Sequence, residues 1–112
     1  MSSYAFAPAF DLQVEPDRER VIVRPRGELD LVSVRRLRDA VDELLTTGFR
    51  SLVVDLRGLT FMDSSGLHCL MELAARAQDD GVELTIVQGP REVRRIFEMT
   101  DTLDALPFAE RA

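Results

Sequence analysis

One stretch of this sequence combines residue types that can do chemistry at a place that would expose them. It is Asp63-Ser64-Ser65-Gly66, directly after Leu59-Thr60-Phe61-Met62. At a helix start, a seryl hydroxyl stands among unpaired backbone amides at the positive end of the helix dipole, a setting that favours added negative charge. The chemistry this suggests is acceptance of a phosphate on a seryl hydroxyl, with Ser64 and Ser65 both flanking the helix start. Asp, Ser and Gly are also ordinary capping and turn residues, so spacing alone leaves a plain helix cap as the other reading. Nucleophilic hydrolysis is disfavoured. The Gly-x-Ser-x-Gly elbow is absent, and the single histidine, His68, lies one turn along the same helix, where it reads as a half-exposed surface residue. A second polar junction, Glu28-Leu29-Asp30, precedes Leu31-Val32-Ser33 and a helical pattern.

Composition removes other chemistries. All 14 basic side chains are Arg, so a lysine Schiff base, a lysine general base and the P-loop lysine are excluded. Val53-Val54-Asp55 has the look of a receiver-domain phospho-acceptor, but that chemistry needs a lysine beside the phosphoryl group, and Asp55 reads as structural. One Cys and one His rule out disulfide frameworks and most zinc sites, and no cofactor is expected. Cys69 sits in an apolar helical pattern, reads as a small core residue and suits a reducing cytoplasm. A net charge of −6 argues against nucleic acid or an anionic membrane as the direct partner. No apolar run approaches the ~18 residues of a membrane span, and the first ten residues lack the basic start of a secretory signal.

The elements that must position these residues follow from periodicity. Residues 1–9 read as a loose, flexible tail, and 10–112 as one domain. Phe10, Leu12 and Val14 alternate with polar residues as in a half-buried strand, Pro16-Asp17 predicts a turn, and Arg20 to Arg24 predicts the returning strand, limited or bulged by Pro25. Val34, Leu37, Val41, Leu44 and Leu45 predict a helix capped by Ser33 and stopped by Gly48. Ser51 to Leu56 is a nearly continuous apolar run, the pattern of a strand covered on both faces. Ser64 to Asp80, closed by Gly81, is a second helix, and Leu84 to Val87 is a fourth strand. Pro90 opens a third helix with Val93, Ile96 and Phe97 facing inward, and Leu103 to Phe108 suggests a short last strand. Such alternation predicts an α/β fold: a small, mixed, mostly parallel sheet with a leading antiparallel hairpin and helices packed against it.

Gly27-Glu28-Leu29-Asp30, the apolar strand through Asp55-Leu56, and Phe61-Met62-Asp63-Ser64-Ser65-Gly66-Leu67 together resemble the STAS domain family, and within it the bacterial anti-sigma factor antagonists. Order and spacing match from about Phe10 to Leu106, including Val93-x-x-Ile96-Phe97. Each motif alone is weak; two at strand-to-helix junctions with this spacing are specific. The resemblance implies a binding module rather than an enzyme. Its unphosphorylated form would bind an anti-sigma factor that is itself an ATP-dependent serine kinase, releasing the sigma factor. Phosphorylation of Ser64 would end that binding, and a phosphatase would restore it. It also implies that Asp30 is the acidic position near the phosphorylation loop, that Asp63 precedes the acceptor and that Gly66 lets backbones approach closely. Ser65, Leu67, Leu31, Val32 and Ser33 would complete the partner-binding face. A stressosome-type or transporter-accessory STAS scaffold is the alternative it leaves open. The sequence departs from the family pattern in an extended segment before Phe10, an early end after Phe108, and bulky residues at His68-Cys69.

Overall fold

The computed structural model describes residues 10–109; the expected tail, 1–9, lies outside the described residues. The chain opens with a hairpin of β1 (Phe10–Asp17) and β2 (Arg20–Leu29), paired antiparallel from Phe10–Gly27 to Asp17–Arg20. The turn is therefore Arg18-Glu19, with Arg18 at φ 62°, rather than the expected Pro16-Asp17. Pro16 is tolerated within the strand because β1 is an edge strand, where a missing N–H can face outward.

Helix α1 (Val34–Thr47) ends at Gly48 in the left-handed conformation, φ 112°. It leads to β3 (Ser51–Asp55), which runs parallel to the first half of β2. A short 3-10 turn (Leu56–Gly58) then delivers β4 (Leu59–Met62), parallel to the last residues of β2. β4 is a strand that the sequence pattern did not announce, so the Asp63 junction follows the fourth strand instead of the third. Pro25 neither ends β2 nor bulges it. It falls between the residues paired to β3 and those paired to β4, where no neighbour asks for its N–H, and the register shift comes at Gly27/Glu28.

Helix α2 (Ser64–Asp80), β5 (Glu83–Val87), parallel to β3, and α3 (Arg91–Met99) complete the described elements. The sheet order is β1-β2-β3-β5, with β4 beside β2. One sheet face carries Val21, Val23, Leu52, Val54 and Ile86, which form a single core with Leu37, Val41, Leu70, Leu73, Val93 and Phe97 of the helices. On the other face Ile22, Val53, Thr85 and Val87 remain half-buried, so the β3 run is covered on one face and not both. Ile96 is half-buried rather than turned fully inward. The expected last strand is a 3-10 turn at Leu103–Ala105 and a single bridge from Phe108 to Ile86, because Pro107 interrupts the ladder.

Candidate functional site

The carboxyl ends of β2 and β4 lie side by side, with Leu29 in register with Met62. The next residues, Asp30 and Asp63, therefore start two neighbouring loops. The Leu29 carbonyl joins them: it accepts the Asp63 amide at 3.3 Å. Gly66 packs onto the same place. A Cβ there would stand 3.1 Å from the Leu29 carbonyl oxygen and 2.4 Å from Met62 Cγ, so only glycine lets α2 start this close to β2.

Asp63, with extended backbone, is the N-cap of α2, and its Oδ1 accepts the amides of Ser65 at 2.8 Å and Gly66 at 3.3 Å. Ser64 is the first helical residue. Its side chain is exposed, and no hydrogen bond engages its hydroxyl among the described residues, whereas Ser65 is half-buried. The Ser65 hydroxyl is likewise without a hydrogen bond among the described residues, so it is exposure that sets Ser64 apart at this helix end.

The Asp30 loop is built differently. Asp30 Oδ1 accepts the amides of Val32 at 3.0 Å and Ser33 at 3.1 Å, while the Asp30 amide donates to Ser33 Oγ at 2.9 Å. Ser33 Oγ donates in turn to the Glu28 carbonyl at 2.7 Å. The Ser33 amide, then the Ser33 hydroxyl and the Val32 amide, hold the Asp30 carboxyl below its ordinary range against the opposing effect of desolvation. Ser33 occupies the N-cap position of α1, but its hydroxyl serves the loop behind it rather than the helix. The loop's own bonds hold its two apolar side chains in water, Leu31 at 75% and Val32 at 85% exposure. Phe61, opposite Glu28 in the ladder, adds a third exposed apolar group at the same end of the sheet. Phe61 belongs to the motif that carries the family resemblance, but no local period marks it as a surface group, because β4 is only four residues long.

The structure brings Asp30, Leu31, Val32, Asp63, Ser64 and Ser65 to one end of the sheet. Ser33, Gly66 and Leu67 are buried beneath them and shape that surface from below. His68 is exposed. Cys69 is fully buried, and burial pushes its thiol up to about 11 despite the opposing field of Arg38. Asp55 caps the 3-10 turn through the Arg57 amide and is gripped by the Arg57 guanidinium at 2.9 and 3.0 Å, with Arg24 at 3.4 Å. Among the described residues no group of three His, Cys, Asp or Glu is placed to hold a metal ion. No helix of the described residues is long and apolar enough to cross a membrane.

The model of the STAS domain family matches residues 10–111. The chain belongs to the STAS domain family. Among curated relatives, this STAS domain is 29% identical to the anti-sigma-B factor antagonist of Staphylococcus aureus over 88 residues, which cover 79% of this chain and 82% of that one. Its fold is that of an anti-sigma factor antagonist from Mycobacterium paratuberculosis, with a TM-score of 0.77, 24% identity and coverage of 94% and 90% of the two chains. It is also that of the Bacillus cell fate determinant SpoIIAA in its phosphorylated form, with a TM-score of 0.68, 22% identity and coverage of 90% and 93%.

Proposed function

We propose that this STAS domain is an anti-sigma factor antagonist switched at Ser64. The unphosphorylated domain binds an anti-sigma factor that is also a serine kinase, through the surface formed by Leu31, Val32, Asp30 and the start of α2. ATP-dependent transfer of a phosphate to Ser64 ends the complex, and a phosphatase reverses the mark. The observation that carries this reading is the Ser64 hydroxyl itself: exposed, unbonded, and first in a helix whose cap is supplied by its neighbour Asp63. It is supported by the name of the Staphylococcus aureus relative. The domain acts by binding and needs no catalytic group or cofactor of its own.

The energetics suit a switch that leaves the fold intact. A phosphate adds about −1.5 to −2 charges next to Asp63 and one loop from Asp30. Two unit charges about 4 Å apart at an effective dielectric near 20 repel by about 4 kcal/mol. Solvent and the helix dipole reduce this, and about 3 kcal/mol remaining at an interface weakens binding about a hundredfold.

The test is a pull-down from native lysate followed by reconstitution with the captured kinase and ATP. Tandem mass spectrometry should find one phosphate, on Ser64, and the complex should dissociate as it appears. Label on Ser65 or Asp55, or a complex indifferent to the label, would overturn the proposal.

A further inference from the structure

We propose that His68 is the cationic partner of a phosphate on Ser64, so that the off state of the switch responds to pH. This deepens the reading above and rests on Ser64 being the modified residue. Ser64 and His68 are four apart in α2, and both are exposed. Residues at that spacing are neighbours on one helix face, about 5–6 Å between Cβ atoms. Helical side chains lean toward the N-terminus of their helix, which lays the His68 ring over the turn that begins with Ser64. The order is also the favourable one, an anion toward the N-terminus and a cation one turn on. Leu67, three residues from Ser64, is buried and cannot take the part.

Beside the phosphate, whose own second ionisation falls in the same range, the other charged groups near this face leave the titrating part to His68. Glu72, one turn beyond, is held by Arg38 of α1 at 2.7 Å. The ladder Arg38–Glu72 and Arg76–Asp42 continues to buried Val34 opposite His68, and the exposed Arg35 is next along α1, but an arginine keeps its charge at any accessible pH. Asp63, at the end of β4, is turned onto the Ser65 and Gly66 amides. Arg94 of α3 faces its own Glu98 at 3.4 Å. Glu83 of β5 stands at the amino end of the parallel strands, away from the start of α2. Histidine is the side chain whose charge changes in the physiological range. A protonated His68 would offset part of the phosphate's charge, and its loss of the proton would return the full repulsion to the interface.

The experiment uses the full chain with phosphoserine installed at position 64 by genetic incorporation, beside the unmodified chain and His68→Gln in both forms. The chain has one histidine, so its ring resonances need no assignment. The ring titration midpoint should rise by about half a pH unit with phosphoserine present. By linkage, a protonated ring favours the phosphate dianion, so the phosphorus-31 midpoint should lie lower in the wild-type background than in His68→Gln. An equal ring midpoint in both forms, or a phosphorus midpoint indifferent to His68→Gln in a variant with native circular dichroism, would overturn the proposal. Because no kinase places the mark, these outcomes are read apart from the kinase test: label found elsewhere by the kinase would remove the switch that the pairing serves, whereas unmoved midpoints would remove the pairing and leave the switch.

Discussion

Asp30 and Ser33 exchange two hydrogen bonds across the loop they bound: the Ser33 amide donates to Asp30 Oδ1 at 3.1 Å, and the Asp30 amide donates to Ser33 Oγ at 2.9 Å. This reciprocal pair fixes Leu31 and Val32 outward although nothing packs over them. Ser33→Ala removes the acceptor of one amide and the donor to the Glu28 carbonyl, in a residue only 6% exposed. It should destabilise the domain by about 1–2 kcal/mol, read by chemical denaturation. Leu31→Asp should leave stability within about 0.5 kcal/mol and weaken partner binding more than Ser33→Ala does.

Acid stability should depend on Asp55. Its side chain is 6% exposed, and the Arg57 guanidinium, with the Arg57 amide and Arg24, holds its carboxyl below the ordinary aspartate range against the cost of burial. A carboxyl whose folded value lies below its unfolded one stabilises fully above the unfolded value, about 3.9. It loses that contribution as pH falls through the folded value. Urea midpoints should therefore drop below about pH 4, and Asp55→Asn should flatten part of that slope while costing about 1–3 kcal/mol at neutral pH. Asp30, lowered in the same direction, accounts for some of the slope that remains.

Ser64→Ala should change stability by less than about 0.5 kcal/mol, because the cap belongs to Asp63, and should retain binding. Asp63→Ala should cost about 0.5–2 kcal/mol. Ser64→Glu should fold normally and bind at least tenfold more weakly, with the gap narrowing as salt screens exposed charge. Calorimetry against the kinase partner checks all three. Equal affinity for wild type, Ser64→Glu and the phosphorylated protein would leave this loop as a helix cap only.

Gly66→Ala tests the close approach of α2 to β2. Alanine improves helix propensity by about 1 kcal/mol, yet its Cβ would meet the Leu29 carbonyl at 3.1 Å and Met62 Cγ at 2.4 Å. Met62 can move and the carbonyl cannot do so freely. The net effect should be destabilisation by about 1–2 kcal/mol, with partial recovery in Gly66→Ala/Met62→Ala despite the smaller core side chain.

The helix carrying the site was legible to its last residue, since the period from Leu67 to Ala77 and the stop at Gly81 are local signals. The strand feeding that helix was not. β4 is four residues long with Thr60 and Phe61 exposed, and its pairing lies beyond a register shift in β2, so no local period marks it. Ser33 shows a second limit. Residue type announces a hydroxyl that bonds backbone, but only the fold decides that it turns back to Glu28 and Asp30. The same holds for the cap of α2, where Asp63 takes the amides and leaves Ser64 free. Pro25 reads as a limit or a bulge in the strand because the gap between two partners of one strand is a property of the sheet.

The change of partner at Pro25 separates two kinds of endurance in one strand. The first half of β2 is locked between β1 and β3 beneath the core, whereas its last residues hold only the four-residue β4 on that side. Amide protons of Phe61 and Met62 should thus exchange with solvent through openings far smaller than global unfolding, while those of Val21 and Val23 wait for it. A kinase of the kind proposed above, drawing Ser64 into its cleft, would have only this short ladder to loosen, and the rest of the domain could stay folded throughout.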